Sequence, residues 1–224
     1  MDREPARLRP FRPGDRDDLY RICLQTADSG EDATDLFPDP RLPGDVYVAP
    51  YVTFEPSLAF VAEDVAGVGG YIVGALDSQV FERRLEQDWW PGLRARYPDA
   101  PQDQASGLST AERYARHDIH HPFGAPPEVV ERFPSHLHVN LVPRMQGRGT
   151  GRRLVTTLIY TLRDHDSPGV HLMVGHANQR AIGFYRRIGF TELAATGVHI
   201  FAMGLGRIGK QQDGDGIREH GPHR

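Results

Sequence analysis

The sequence predicts a mixed α/β (α+β) fold, and three stretches carry that prediction. Ser135 to Val142 (SHLHVNLV) alternates Leu137, Val139 and Leu141 with His136, His138 and Asn140, the period-2 pattern of a strand with two distinct faces. Downstream, Leu154, Val155, Leu158, Ile159 and Leu162 fall on one stripe of a helix. Ser57 to Glu63 and Gly69 to Asp77 are two β-rich runs joined by a turn around residues 64–68, hence an antiparallel hairpin.

The remaining elements follow in order. Ala6 to Phe11 is a short first strand, and Pro13-Gly14-Asp15 turns into a helix from about Arg16 to Ala27, with Asp15 as its cap. Asp28 to Pro56 is rich in Asp, Pro and Gly. It also holds Phe37, Tyr47, Tyr51 and Phe54, so it reads as an ordered loop with a short helix, over a site or against a partner. Gly74 inside the second hairpin strand marks a bulge or a close approach. A long insertion, 78–134, then separates the third and fourth strands. Phe81 to Tyr97 contains a helix ending at Trp89-Trp90-Pro91, and Ser109 with Glu112 forms a capping pair that opens another. Such a long insert is usually functional. Pro143 ends the fourth strand because it has no N–H to donate. Gly169 to Gly175 is a fifth strand, Asn178 to Ile188 a helix capped by Asn178 and stopped by Gly189, and Phe190 to Ala194 with Gly197 to Leu205 a closing hairpin. The expected organisation is one domain over 1–205 with a disordered tail, 206–224, that has almost nothing to bury.

Composition excludes several function classes. With 224 residues, 39% of them hydrophobic, the chain can bury a sizeable core, and no apolar run approaches the roughly 20 residues of a membrane span. The net charge of −4 argues against general binding of nucleic acid or anionic membranes. Met1 to Phe11 lacks the pattern of a signal peptide, and a lone Cys23 cannot form an internal disulfide, so a reducing cytoplasm is expected. Cys23 falls in an apolar helical run and reads as core packing. Of the 26 basic residues only Lys210 is a lysine, a bias that suggests a GC-rich bacterial coding sequence. His117, His120 and His121 share a helical face, yet no acidic or cysteine set elsewhere completes a metal site, so the segment reads as a solvated helix end.

Between the fourth strand and the following helix lies Gln146 to Arg153, QGRGTGRR. First-turn N–H groups have no intrahelical acceptors and the helix dipole places positive charge there, while Gly147, Gly149 and Gly151 let a ligand approach the backbone. The expected guest is a phosphate or pyrophosphate, with Arg148, Arg152 and Arg153 as nearby cations. A Walker loop fails, because two arginines follow Gly151 where GK and a hydroxyl residue are needed. A dinucleotide fingerprint is poor, because the sixth position from Gly147 is Arg152.

The third reading, QxxGxG at Gln146, Gly149 and Gly151, resembles the pyrophosphate loop of the GNAT superfamily of N-acetyltransferases. A second block strengthens it. NQRAIGFYRRIGF supplies Asn178, Ala181, Tyr185, Gly189 and Phe190 at the spacing GNAT proteins commonly carry, and the order of elements is the GNAT order. The resemblance implies a central mixed, mostly antiparallel sheet flanked by helices, with the fourth and fifth strands splayed. It implies acetyl-CoA as co-substrate and an amine acceptor, with homodimerisation left open. Pantetheine would pair with the fourth strand around Val139, Asn140 and Leu141, and the pyrophosphate would meet Gln146, Gly147, Arg148, Gly149, Thr150, Gly151 and Arg152, with Asn178 nearby. The Leu141 N–H would polarise the thioester carbonyl and Tyr185 would protonate the departing thiolate. Where relatives often place a carboxylate on the fifth strand this chain has Met173, so the base passes to His138, then Glu63, Asp77 or a water chain. The insert, with GGYIVGALD and PYVTFEPSLAFVAED, is similar to the C-terminal acetyltransferase-like domain of animal O-GlcNAcase, which is usually described as lacking the features that bind acetyl-CoA. A catalytically silent acyl-CoA sensor or interaction module is therefore the alternative function.

Overall fold

The computed structural model describes residues 5–99, 108–194 and 197–206. The chain opens with β1 (Arg7–Pro10) and α1 (Arg16–Leu24). Asp15 precedes α1 but does not cap it with its side chain, as the sequence suggested. Its carboxylate instead accepts the Arg12 N–H at 2.7 Å and pairs with Arg9 at 2.7 Å, which turns the chain upstream of the helix. Two short helices follow, α2 (Leu42–Tyr47) and α3 (Ala49–Phe54), then the hairpin β2 (Ala59–Asp64) and β3 (Gly67–Ala75). Gly74 is a close approach, since a Cβ there would lie 3.0 Å from Leu158 and 3.1 Å from the His136 carbonyl; the bulge falls at Ala62/Glu63.

The described residues of 78–132 include four helices: α4 (Ser78–Asp88), α5 (Trp90–Arg96), α6 (Thr110–His120) and α7 (Pro127–Arg132). The helix expected within 81–97 ends where the sequence put its end, at Asp88 just before Trp89-Trp90-Pro91, but a second helix that the sequence did not show follows at once. Pro91 lacks an N–H and its ring would meet the carbonyl one turn back, so it opens α5 rather than ending α4. Ser109 caps α6 by accepting the Glu112 N–H at 3.0 Å, but the reciprocal half of the capping pair is not made, because the Glu112 carboxylate takes Arg116 at 2.8 Å. Then come β4 (Ser135–Leu141), α8 (Thr150–Asp164), β5 (Gly169–Gly175), α9 (Gln179–Arg187), β6 (Thr191–Ala194) and β7 (Val198–Gly204). The tail beyond Gly206 lies outside the described residues.

One sheet runs β1-β2-β3-β4-β5-β7-β6, antiparallel except for β4 and β5. Leu154, Leu158 and Leu162 of α8 are fully buried against it, each contributing about 1.5–3 kcal/mol of transfer free energy. Cys23 is buried in the same core, and burial pushes its thiol pKa up to about 12, which leaves it a packing residue.

The feature that positions the site is the β4–β5 contact. These parallel strands pair only at Ser135↔Val170 and His136↔His171, then separate. Beyond that point the β5-facing edge of β4 has no partner strand among the described residues.

Candidate functional site

The parted strands open a cavity of about 1110 Å³, larger than the roughly 300–1,000 Å³ of ordinary small-molecule sites. Val139, Asn140 and Leu141 of β4 line one wall. The Val142 N–H bonds to the Gly69 carbonyl of β3 at 3.0 Å, and polar groups alternate sides along a strand. The amides of Val139 and Leu141 therefore point away from β3, into the gap. The Leu141 carbonyl on that side is taken by the Gln146 side-chain amide at 2.7 Å, and the Leu141 N–H, beyond the last β4–β5 pair, has no partner among the described residues.

The glycine loop forms the end of the cavity. Gly147 and Gly149 have φ of +73° and +74°, the left-handed region that favours glycine, and Gly149 occupies the N-cap of α8 with no side chain to satisfy the first turn. Arg153 is the first residue whose N–H closes an intrahelical bond to this cap, at 3.0 Å to the Gly149 carbonyl. The N–H groups of Thr150, Gly151 and Arg152 are thus presented together at the positive end of a 15-residue helix. Gly151 permits the close packing behind them, since a Cβ there would sit 3.3 Å from Leu141 and from Phe184.

The third wall is α9. Asn178 caps it, its side-chain oxygen accepting the Ala181 N–H at 2.9 Å, and Gly189 ends it at φ +97°. Tyr185 faces the cavity from this helix, 6% exposed, with its ring packed edge-on against Phe184 and Phe190. Burial raises the phenol's pKa, so it keeps its proton, and its oxygen makes no hydrogen bond among the described residues.

Most residues expected at the site therefore share one cavity, but not all. Arg148 is exposed and off its walls, and the Thr150 side chain is buried behind the loop, leaving only its N–H available. Arg153 points to the other end of the sheet, donating to the Ala6 carbonyl at 2.7 Å. His138 lies on the opposite face of β4, beside Tyr51 at 5.3 Å between rings, without a hydrogen-bond partner among the described residues. Burial lowers its pKa to about 4, so the imidazole is neutral at pH 7. The fallback bases are both engaged: Glu63 pairs with Arg9 at 2.8 Å and Asp77 caps α4 through the Val80 N–H at 2.9 Å.

The sequence reading missed Arg180 and Arg187, which line the cavity from α9, and Thr26, Ser29, Gly30 and Glu31, which line it from the segment after α1. Arg180 had a usable signal, standing two residues after the Asn178 cap and so in the turn that faces the glycine loop. Thr26 had none, because its role is tertiary: its hydroxyl accepts from Asn140 at 2.6 Å across 114 residues. The insert does not reach this cavity, since none of its described residues lines the walls. It packs instead on the loop between α1 and β2, where Tyr47 donates to Asp118 at 2.8 Å and Trp89 to the Asp45 carbonyl at 2.9 Å. Among the described residues no group of three or more metal-ligating side chains is assembled, and no helix is long and apolar enough to cross a membrane.

Comparison with known proteins agrees with this geometry. The FR47-like protein family matches residues 135–198, from β4 through the start of β7. Rat (Rattus norvegicus) O-GlcNAcase is 25% identical over 187 residues, covering 84% of this chain and 20% of the relative. The mycothiol acetyltransferase of Pseudarthrobacter chlorophenolicus is 26% identical over 176 residues, 78% of this chain and 50% of the relative. The chain thus spans about a fifth and a half of the lengths of these relatives. Among solved structures, SsHAT is 34% identical with a TM-score of 0.80, covering 91% of this chain and 100% of that one. A putative acetyltransferase from Salmonella typhimurium, solved with its cofactor acetyl-CoA, shares the fold at a TM-score of 0.52 and 14% identity, over 91% of this chain and 95% of that one. Splayed strands over a glycine loop, the Asn178-to-Phe190 block and full-length likeness to a solved relative have one explanation: the chain belongs to the GNAT superfamily of acetyltransferases.

Proposed function

We propose that this chain is an acetyl-CoA-dependent N-acetyltransferase that moves an acetyl group to a primary amine by direct attack. The observation that carries the reading is the convergence of unpaired groups on one cavity: two β4 amides, the α8 first-turn N–H groups and the Tyr185 phenol. Pantetheine would lie along the open edge of β4 as an added strand, with the Val139 amide as its partner. Its diphosphate would sit on the N–H groups of residues 147–152, with Arg152 beside it.

In the reaction an amine nitrogen attacks the thioester carbonyl. The Leu141 N–H, fixed by the Gln146 bond to its own carbonyl, meets the developing oxyanion. Collapse breaks the carbon–sulfur bond, and Tyr185 donates its proton to the departing thiolate, whose own basicity rises in the same dry cavity. His138, neutral at pH 7 but outside the cavity walls on the other face of β4, would take the ammonium proton through an intervening water and pass it on, because its proton affinity in the fold is low. The domain runs over 1–205, and its one cysteine, buried against the Pro43 carbonyl, suits a reducing cytoplasm.

The test is thiol release from acetyl-CoA over a panel of amines, with the acetylated product confirmed by mass. Turnover with at least one amine supports the reading. Binding of acetyl-CoA with no turnover on any amine class would make the chain a silent acyl-CoA sensor.

A further inference from the structure

The cavity walls carry a charge imbalance that the proposed chemistry leaves unexplained. Arg152, Arg180 and Arg187 line it, and among the described residues they are joined by a single carboxylate, Glu31. Three cations suit a polyanionic cofactor; a carboxylate beside them opposes it. Glu31 is not there for packing, because its side chain is 71% exposed.

What Glu31 touches is Arg180, Oε1 to Nη2 at 3.3 Å. The same guanidinium donates through Nη1 to the Gln146 side-chain oxygen, and Gln146 in turn holds the Leu141 carbonyl. A continuous line of polar contacts therefore runs from the loop after α1, over the cavity, to the first residue of the glycine loop. The near anchor is a tight turn. Asp28 and Glu31 exchange backbone hydrogen bonds of 3.2 and 2.8 Å, and the central residues Ser29 and Gly30 have φ of +52° and +94°. Gly30 rests against the Asn178 cap, where a Cβ would come within 3.3 Å of its amide nitrogen.

We propose that Glu31, Arg180 and Gln146 form a strap across the cavity that the cofactor's diphosphate opens, with Arg180 exchanging Glu31 for phosphate. The inference rests on the acetyl-CoA reading above. An exposed pair with one contact is weak and screened by salt, whereas a diphosphate offers the same guanidinium a charge-assisted, bidentate site. Glu31 thus competes with the cofactor for Arg180. When Arg180 leaves, the 28–31 turn loses its ionic anchor on α9, so the step that orders the glycine loop loosens the opposite rim of the cavity.

Calorimetric titration of coenzyme A at low ionic strength tests this on four proteins: wild type, Glu31→Gln, Arg180→Gln and the double variant. Both side chains are exposed, and melting curves are to check that each variant is folded before it is titrated. Glu31→Gln is expected to bind coenzyme A about 3- to 10-fold more tightly, Arg180→Gln more weakly, and the Glu31→Gln gain should vanish in the double variant. Hydrogen exchange at residues 28–31 should quicken when coenzyme A is added to wild type. An unchanged or weaker affinity of Glu31→Gln, the same gain with and without Arg180, or slower exchange at 28–31 would each overturn the strap while leaving the cofactor reading intact. Failure of folded wild type to bind coenzyme A would overturn both.

Discussion

Two histidines one residue pair apart on β4 show how this molecule divides its labour. His136 has both ring nitrogens committed. The Ser78 hydroxyl, 2.6 Å from the Pro134 carbonyl, must donate there, so it accepts from His136 Nδ1 at 2.7 Å, and Tyr51 donates to Nε2 at 2.8 Å. His138, on the same face, has neither nitrogen bonded among the described residues. The contrast extends to whole regions. Around the insert polar groups are paired over long separations: Tyr97 with Asp39 at 2.7 Å, Tyr20 with Asp45 at 2.5 Å, Tyr47 with Asp118 at 2.8 Å. Around the cavity the Val139 and Leu141 amides, the α8 first turn and the Tyr185 phenol have no partner among the described residues. The division is not complete, since Glu112 Oε2 of the insert and Arg163 Nε are buried without a partner away from the cavity, but the open backbone groups gather at the cavity, where a ligand would supply their partners.

The largest expected effect breaks the open region. Gly149→Asp places a carboxylate at the mouth of the α8 first turn, where a Cβ meets no atom within 4 Å, so the fold survives at a backbone cost of about 1–2 kcal/mol. Acetyl-CoA affinity should fall by about 10²-fold or more through like-charge repulsion, measured by calorimetry. Tyr185→Phe comes next. It keeps the ring against Phe184 and Phe190 and removes only the proton, so acetyl-CoA affinity should stay within about twofold while turnover falls about 10²- to 10⁴-fold. Full turnover by a slightly less stable variant would make the phenol a packing group.

A third prediction separates the histidines by pH. Burial depresses the folded-state pKa of His138 to about 4 from an unfolded value near 6.5, so between those limits the unfolded chain binds more protons. The stability conferred by the neutral ring is present above about pH 6.5 and is lost as pH falls towards 4, by about 3 kcal/mol at most. His136 and His171 are shifted in the same direction, chiefly by burial. His138→Asn should therefore flatten, without abolishing, the loss of stability in urea titrations between pH 6.5 and 4. It should also lower turnover at neutral pH, whereas a ring with no part in proton transfer would change stability alone. The smallest effect belongs to the paired region: Tyr97→Phe removes one bond to Asp39 and should cost about 1 kcal/mol, with acetyl-CoA affinity unaltered.

The same division explains what the sequence revealed. The glycine loop, the Asn178 cap and Tyr185 are local devices whose geometry follows from a strand-to-helix turn or from helical spacing, and they were legible. The alternation of SHLHVNLV placed His138 and Leu141 on opposite faces of β4, but not which ring would find partners, because Ser78 and Tyr51 come from distant elements. Glu31 and Thr26 reach the cavity only through the crossing of the loop after α1, and the insert's tyrosine–carboxylate pairs join elements up to 71 residues apart. The second insert helix, α5, was missed for a different reason: a Trp-Pro step reads equally as a helix end and a helix start, and only the end was read.

The central claim is that the open groups between β4, α8 and α9 are the cofactor's partners and that the paired insert is not. Residue-resolved hydrogen exchange with and without saturating acetyl-CoA tests it most directly. The account predicts slowed exchange at Val139, Leu141 and the amides of residues 147–152, with the helices of residues 78–132 unchanged. Protection centred on those insert helices, or none anywhere in a folded chain, would contradict it.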